Sequence, residues 1–383
     1  MDRPVTSLHP ESSLPAPRSG VFADAAGQDV TAVVVTCGDT PYLEDTLTAL
    51  AAQERPVQRV VVVDISAPGR ELGSGRMLPE IVDQIFGSQA RVVAVPQART
   101  FGDAVREGLS LNAAATQRAQ RRHEARTGEI PLVRDGDVAW LWLLHDDSAP
   151  RPEALAALLR EAELATSIGM LGCKQRGWAR PDRLLEVGIR ASATTRRLVE
   201  TDIDEIDQGQ LDHRDDVLGV GTAGALIRRD IWEQLGGTDP ALGPFNDGLE
   251  LSRRVRTAGW RVVVVPTAVV HHAQASYYGL RGEEPHPPEP RLSFGARRRA
   301  QLHTWISGVP GWQVPLVYLA IAVLTLLRAA WRLVRKDLDL MGAELRAGGA
   351  IVARPGRWLA TRRRTEQVRK VSRATLKNIY VNP

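Results

Sequence analysis

Along this chain, short β-branched runs alternate with stretches whose apolar residues fall at helical spacing. Val30-Thr31-Ala32-Val33-Val34-Val35 reads as a buried strand, and Gly38, Asp39 and Pro41 turn the chain after it. Leu43, Leu47 and Leu50 then recur at i, i+4 and i+7, one apolar face of a helix. Arg59–Val63 predicts a second strand ending in Asp64. Arg91–Val95 predicts a third, followed by Phe101-Gly102 and a helix through Leu111. Residues 113–138 are polar and arginine-rich, expected as a long surface loop or a ragged helix. Ala139-Trp140-Leu141-Trp142-Leu143-Leu144 is the fourth strand, and Pro152 suits the first turn of a helix behind it. Strands alternating with helices imply an α/β fold with a mainly parallel sheet flanked by helices.

The fourth strand ends in His145-Asp146-Asp147. Bare carboxylates are costly to bury, so two of them on a strand tip must be solvated, paired or bound to a cation. In open α/β sheets that edge is where ligands bind. The pattern points to a divalent metal with a phosphate behind it, against the plainer reading of a solvated strand end. Asp64 closes the second strand on the same edge, where it either contacts a ligand or caps its own turn. A later apolar run, Val262–Val270, ends in His271 and His272, whose side chains point to opposite sides of the strand.

These segments, in this order, resemble a family 2 glycosyltransferase with the nucleotide-sugar-binding GT-A fold, over roughly residues 30–276. Val62-Val63-Asp64-Ile65-Ser66 resembles the family's second nucleotide-binding unit, and His145-Asp146-Asp147 stands at its DxD metal motif. Gly221–Arg229 and Leu235–Asp239 resemble the segment before the acceptor site. Asp247–Arg254 resembles the catalytic-acid helix, and Pro266–His272 the strand that ends in a histidine. The resemblance implies Asp147 and His272 as ligands of Mn²⁺ or Mg²⁺, with the imidazole tilting the choice to Mn²⁺. It implies Asp64, Asp146 and the backbone of Thr36, Cys37 and Gly38 as the donor-binding set. His145 replaces the usual acid, and either faces the ribose or closes the strand. The family's Glu-Asp pair falls on Asp247-Gly248, so glycine occupies the usual base position. That leaves Asp247 as the candidate base with Glu250 in reserve, or Asp247 as a helix cap.

Charge divides the molecule. From Arg291 onward 18 basic residues meet 4 acidic ones, a segment of +14, while the first 290 residues carry −10. Within that segment residues 312–334 are apolar, long enough to span a bilayer or lie on it, with Arg328, Arg332 and Arg335 along one stripe. A core helix docked on the catalytic domain is the other reading. The basic, tryptophan-containing stretch Arg354–Lys377 is expected on anionic headgroups. No nucleic-acid motif accompanies it, and none is expected as a partner. Cys37 and Cys173 can build no disulfide framework and lack metal-ligand spacing.

The expected organisation is a disordered leader at 1–29, a GT-A domain at 30–290, and a basic helical, membrane-associated tail at 291–383. The expected function is metal-dependent, inverting transfer from a nucleotide-sugar donor to a lipid-linked or cell-envelope glycan acceptor. It would take place at the cell membrane with the catalytic domain on the cytoplasmic side. The alternative is a non-catalytic GT-A scaffold or nucleotide-binding pseudoenzyme, which Gly248 and His145 favour. A processive synthase would need a Gln-x-x-Arg-Trp motif, which these 383 residues lack.

Overall fold

A computed structural model describes residues 28–38, 40–66, 76–127, 138–198, 205–280, 289–372 and 380. The leader expected at 1–29 lies outside them except for positions 28 and 29, which are already strand. The first half runs β1 (Gln28–Thr36), α1 (Leu43–Ala51), β2 (Arg59–Asp64), α2 (Leu78–Phe86), β3 (Ala90–Ala94) and α3 (Phe101–Thr127). The helix after Phe101 thus continues through the polar stretch to Thr127, which resolves the first part of 113–138 as helix. Next come β4 (Val138–His145), β5 (Ser148–Pro150), α4 (Ala154–Leu164) and β6 (Ile168–Gly177). Short strands β7 (Leu184–Glu186), β8 (Arg190–Ala191) and β9 (Arg197–Leu198) follow. The sheet-bearing body closes with β10 (Ala225–Arg228), α5 (Arg229–Leu235), α6 (Asp247–Thr257) and β11 (Arg261–His272).

Nine strands form one sheet in the order β3-β2-β1-β4-β10-β6-β11-β5, with β7 attached to β6. Strands β1 to β4 pair in parallel, as do β6 and β11. Strand β10 runs antiparallel to both its neighbours, and β5 antiparallel to β11. The sheet is therefore mixed, parallel in the half that alternates strictly with helices. Both faces are covered. Leu43, Leu47, Leu155 and Leu158 pack on one side with the even-numbered residues of β1 and β4. Val105, Ile231, Trp232, Leu251 and Val255 pack on the other with the odd-numbered ones. Period-2 alternation thus sends Trp140, Trp142 and Leu144 to one layer and Leu141 and Leu143 to the other.

Behind this body lie α7 (Phe294–Gly308), α8 (Val314–Val334), α9 (Leu338–Ala353) and α10 (Pro355–Val368). They share a small core of Leu302, Ile306, Val317, Ile321, Ile351 and Trp358. A buried Arg298–Glu344 pair at 2.8 Å ties α7 to α9. The anchor to the sheet-bearing body is Asp239, buried between His303 and Arg364, each 2.8 Å away, and also bonded by Thr361. The stretch expected on headgroups turns one stripe inward, at Trp358, Thr361 and Thr365, while most of its described residues stay exposed. Trp358 is buried, and Arg362 donates to the carbonyls of Ile306, Ser307 and Val309. Helix α8 keeps one face outward, with Leu316, Leu319, Val323, Leu326, Leu327 and Trp331 exposed. The segment Gly311–Val334 is long and apolar enough to cross a membrane, and only 22% of its most apolar stretch is buried.

Candidate active site

The carboxyl ends of β1, β2 and β4 meet at one sheet edge, as parallel register requires: Thr36 pairs with Asp64, and Val35 with His145. The chain turns sharply after His145, where Ser148 Oγ donates to the His145 carbonyl and accepts its amide N–H. Asp146 and Asp147 leave this turn in different directions. Asp146 is fully buried and braces the loop after β1, accepting the Cys37 N–H at 3.4 Å. Its carbonyl also takes the Thr46 hydroxyl. Thr36 Oγ1 accepts the Gly38 N–H at 2.9 Å, and Gly38 adopts a positive φ of 79° to close the turn. Asp64 accepts the Ser66 N–H at 2.8 Å, so it caps its own turn while remaining partly open to the edge. The whole donor-binding set proposed from sequence is gathered here.

Asp147 faces the far end of β11. Its Oδ2 accepts the Ala275 N–H at 2.8 Å, and its Oδ1 lies 3.5 Å from His272 Nε2 and 3.9 Å from His145 Nδ1. One ligand atom from each of His145, Asp147 and His272 lies within 4.8 Å of the others. Metal–ligand bonds of about 2.1 Å place donor atoms at such separations. The outer hydrogen bonds also suit a cation. Gln175 Oε1 lies 3.0 Å from His272 Nδ1, and as an acceptor it holds the proton there, leaving the Nε2 lone pair toward Asp147. Thr222 Oγ1 stands between His145 Nε2 at 3.0 Å and Asp247 Oδ2 at 3.3 Å. A hydroxyl has one proton. If it goes to the Asp247 carboxylate, Nε2 must donate to Thr222, and His145 Nδ1 presents its lone pair to Asp147. His145, which sequence reasoning kept out of the metal set, thus lies beside Asp147 and His272 with a ring nitrogen that could bind the same cation. Strand alternation could not show this, because Asp147 lies in the turn after β4. His271 points away and bonds the Gly177 carbonyl at 3.3 Å, as expected from strand alternation.

Asp247 opens α6 and is buried. Burial pushes its carboxyl above the ordinary range, against the Gly248 N–H at 2.8 Å, the Thr222 hydroxyl and the charge of Arg197. A raised carboxyl is suited to taking a proton near neutral pH. Gly248 packs against the chain before it: a Cβ there would sit 2.4 Å from the Val220 carbonyl oxygen. No acid fits at the usual base position, so the adjacent carboxylate is the one that reaches the cluster. Glu250 is not brought to it. Arg254 grips Glu250 through two bonds of 2.7 Å while also donating to the Leu235 and Gly237 carbonyls. That fork fixes the turn before α6 to the helix itself.

Sequence reasoning also missed Thr222 and Gln175, whose partners lie 25 to 97 residues away. Thr222 lies in the Gly221–Arg229 segment already singled out, but nothing in that segment or around Gln175 points to these partners. Trp178, on the β6–β7 hairpin, contacts Tyr42 edge-to-face at 5.0 Å, so the hairpin leans over the start of α1.

A family model described as glycosyltransferase like family 2 matches residues 27–285. A search of curated proteins by sequence gave no match. Among solved structures, the chain is similar to GalNAc-T7 solved with UDP, GalNAc and Mn²⁺, at 14% identity and a TM-score of 0.48. That match covers 74% of this chain and 51% of the other, so this chain spans about half the length of that protein. It is similar to a mannosyltransferase of Pyrobaculum calidifontis solved with GDP-Man and Mn²⁺, at 17% identity and TM-score 0.45, over 92% and 87% of the two chains. It is also similar to residues 1–349 of S. aureus TarS, at 12% identity and TM-score 0.40, over 88% and 90%. The family match takes in every strand of the sheet and the His145, Asp147, Asp247 and His272 cluster, and by it the chain belongs to glycosyltransferase-like family 2.

Proposed function

We propose that this protein moves a sugar from a nucleoside-diphosphate donor to a hydroxyl of a lipid-linked or cell-envelope glycan, with inversion at the anomeric carbon. The observation that supports it most is the hydrogen-bonded line from Asp247 through Thr222 to His145, which joins a proton-accepting carboxylate to a metal-binding trio. His145, Asp147 and His272 would hold Mn²⁺ or Mg²⁺, two imidazoles favouring Mn²⁺. A divalent ion there supplies Lewis-acid stabilisation of the charge that builds on the leaving diphosphate. Asp64 and the Thr36–Gly38 backbone would hold the nucleoside, with Asp146 bracing that loop from behind.

In the transfer, Asp247 accepts the proton of the acceptor hydroxyl as its oxygen forms a bond to the anomeric carbon. The bond from that carbon to the diphosphate oxygen breaks, and the electron pair leaves with the diphosphate. Thr222 holds Asp247 in place through the same hydroxyl that fixes the His145 tautomer. The exposed apolar face of α8 supports work at a membrane; we propose its cytoplasmic side for the catalytic body.

Calorimetry of a nucleoside diphosphate with and without Mn²⁺ tests the reading. Binding should need the metal and fall at least about tenfold in Asp147→Ala, because removing one of three ligands forfeits most of the site. Binding that is indifferent to Mn²⁺ and to Asp147→Ala overturns it.

A further inference from the structure

Beside the metal cluster a cavity of about 960 Å³ separates the catalytic body from the C-terminal helices. Its wall carries nine arginines and two acids, Glu186 and Asp337. Some of these arginines serve the fold, as Arg298 does with Glu344 and Arg197 with Glu186, but the wall as a whole holds more guanidinium charge than its own acids offset. Asn246, next to the Asp247 base, lines the near end, and Arg328, Arg332 and Arg335 of α8 line the far end. The near end communicates with the catalytic carboxylate through Arg197, which lines the cavity and acts on Asp247 by its charge.

Two groups in this wall lack the partners that a closed protein core would give them. Asn246 is 8% exposed, and its Nδ2 has no hydrogen-bond partner among the described residues. A buried donor of that kind is costly to leave unmade, and an acceptor atom on a ligand would satisfy it. Arg328 has no acidic partner among the described residues. Arg332 stands over Phe294, 4.5 Å from the ring centre, with Asp337 3.7 Å from its Nη1, and a guanidinium with five N–H donors has others left for phosphate oxygens. Arg328, Arg332 and Arg335 stand at the end of the same helix whose upstream turns expose Leu316, Leu319, Val323, Leu326 and Leu327. Positive charge therefore sits where an apolar surface stops, the arrangement of a headgroup beside its hydrocarbon tail.

We infer that this cavity binds the phosphate or pyrophosphate head of a membrane lipid whose attached hydroxyl is the acceptor in the transfer proposed above. The lipid tail lies along the outer face of α8, the phosphate oxygens meet Arg328 and its neighbours, and the hydroxyl end extends past Asn246 to Asp247. The inference rests on that transferase reading and names its acceptor. A dissolved phosphate shares the chemistry of the head but not the apolar surface beside it.

Vesicle co-sedimentation of the full chain tests it, with neutral phospholipid vesicles doped with a polyprenyl phosphate. Matched vesicles carry the unphosphorylated prenol or phosphatidylglycerol at equal charge, and inorganic pyrophosphate is added as a soluble competitor. The polyprenyl phosphate should bind at least about tenfold more tightly than either matched vesicle. The double substitution Arg328→Gln and Arg335→Gln should remove about tenfold of that affinity or more, since two charge-assisted contacts to the phosphate are lost. Both side chains are exposed, and retained circular dichroism together with retained Mn²⁺-dependent nucleoside diphosphate binding would show the variant folded. Equal binding to prenol, equal binding to phosphatidylglycerol, or an unchanged double variant overturns the proposal. So does inorganic pyrophosphate binding as tightly as the lipid. If the lipid phosphate binds through these arginines while nucleoside diphosphate does not bind with metal, the donor reading fails and the cavity assignment stands.

Discussion

Asp247 shows how one side chain can be tuned by what surrounds it. Burial raises its carboxyl, so the folded protein holds that proton more tightly than the unfolded chain does. The sign follows: ionising Asp247 costs stability, a cost absent below the ordinary carboxylate pKa of about 4 and growing as pH rises through the folded value. Asp247→Asn should therefore leave the neutral-pH melting temperature unchanged or higher while lowering transfer about 100-fold or more. A variant that keeps its rate, or loses fold and rate together, would remove Asp247 from the base role. Thr222→Val should move the acidic limb of the pH–rate profile to higher pH and weaken Mn²⁺ binding about tenfold, because one hydroxyl serves both groups. Thr222→Ser should restore both. Gly248 yields a prediction of the opposite kind. Because a Cβ would strike the Val220 carbonyl at 2.4 Å, Gly248→Ala should cost about 1–3 kcal/mol in urea unfolding, and Gly248→Glu should supply no extra activity.

At the scale of elements, Asp239 couples the catalytic body to the C-terminal helices. Burial opposes its charge, but the hydrogen bond and charge of His303, with bonds from Thr361 and the Ala241 amide, outweigh burial and hold the carboxyl well below its usual range. A depressed carboxylate contributes stability above the unfolded pKa of about 4, lost as pH falls through the folded value. Asp239→Asn should cost about 3 kcal/mol at neutral pH in urea unfolding and flatten the acid dependence of stability, since His303 keeps a buried position without its anion and the half-exposed Arg364 loses its partner. A loss under 1 kcal/mol would mean that the helices dock by apolar packing alone. The same anchor explains what the sequence made legible. Strands β1 to β4 follow from their own apolar runs, and the edge cluster of Asp64, Asp146 and Asp147 follows from where those runs stop. His145 was not legible as a neighbour of Asp147 and His272, because the turn after β4 breaks the strand's alternation and His272 arrives from β11. Arg362 and Arg364 were not legible, because the carbonyls and the carboxylate that hold them come from 53 to 125 residues away. An arginine count alone cannot tell a headgroup-facing helix from one turned inward to satisfy such partners.

For the whole molecule, the deciding feature is that α8 has two unlike faces. Val317, Ile321, Thr325 and Ala329, four residues apart, are buried, while Leu316, Leu319, Leu326 and Leu327 are exposed to different degrees between 61% and 64%. A helix made only to complete a soluble core would not leave that row of leucines in water, since each loses about 1.5–3 kcal/mol of transfer free energy when kept out of an apolar phase. Replacing these four leucines by serine should weaken membrane association by on the order of 6 kcal/mol and move the protein from the membrane pellet to the soluble fraction. The buried face is untouched, so urea unfolding should shift by less than about 1 kcal/mol, within the range of ordinary surface substitutions. Nucleoside diphosphate binding should persist, because the metal trio lies on the sheet edge and draws nothing from α8. If the fourfold variant still sediments with membranes, attachment must come from another surface, and the arginine-lined end of the helix becomes the place to look. If instead it unfolds, the outer leucines are core residues of a larger assembly. Retained folding with lost sedimentation is the outcome that assigns the outer face of α8 to lipid.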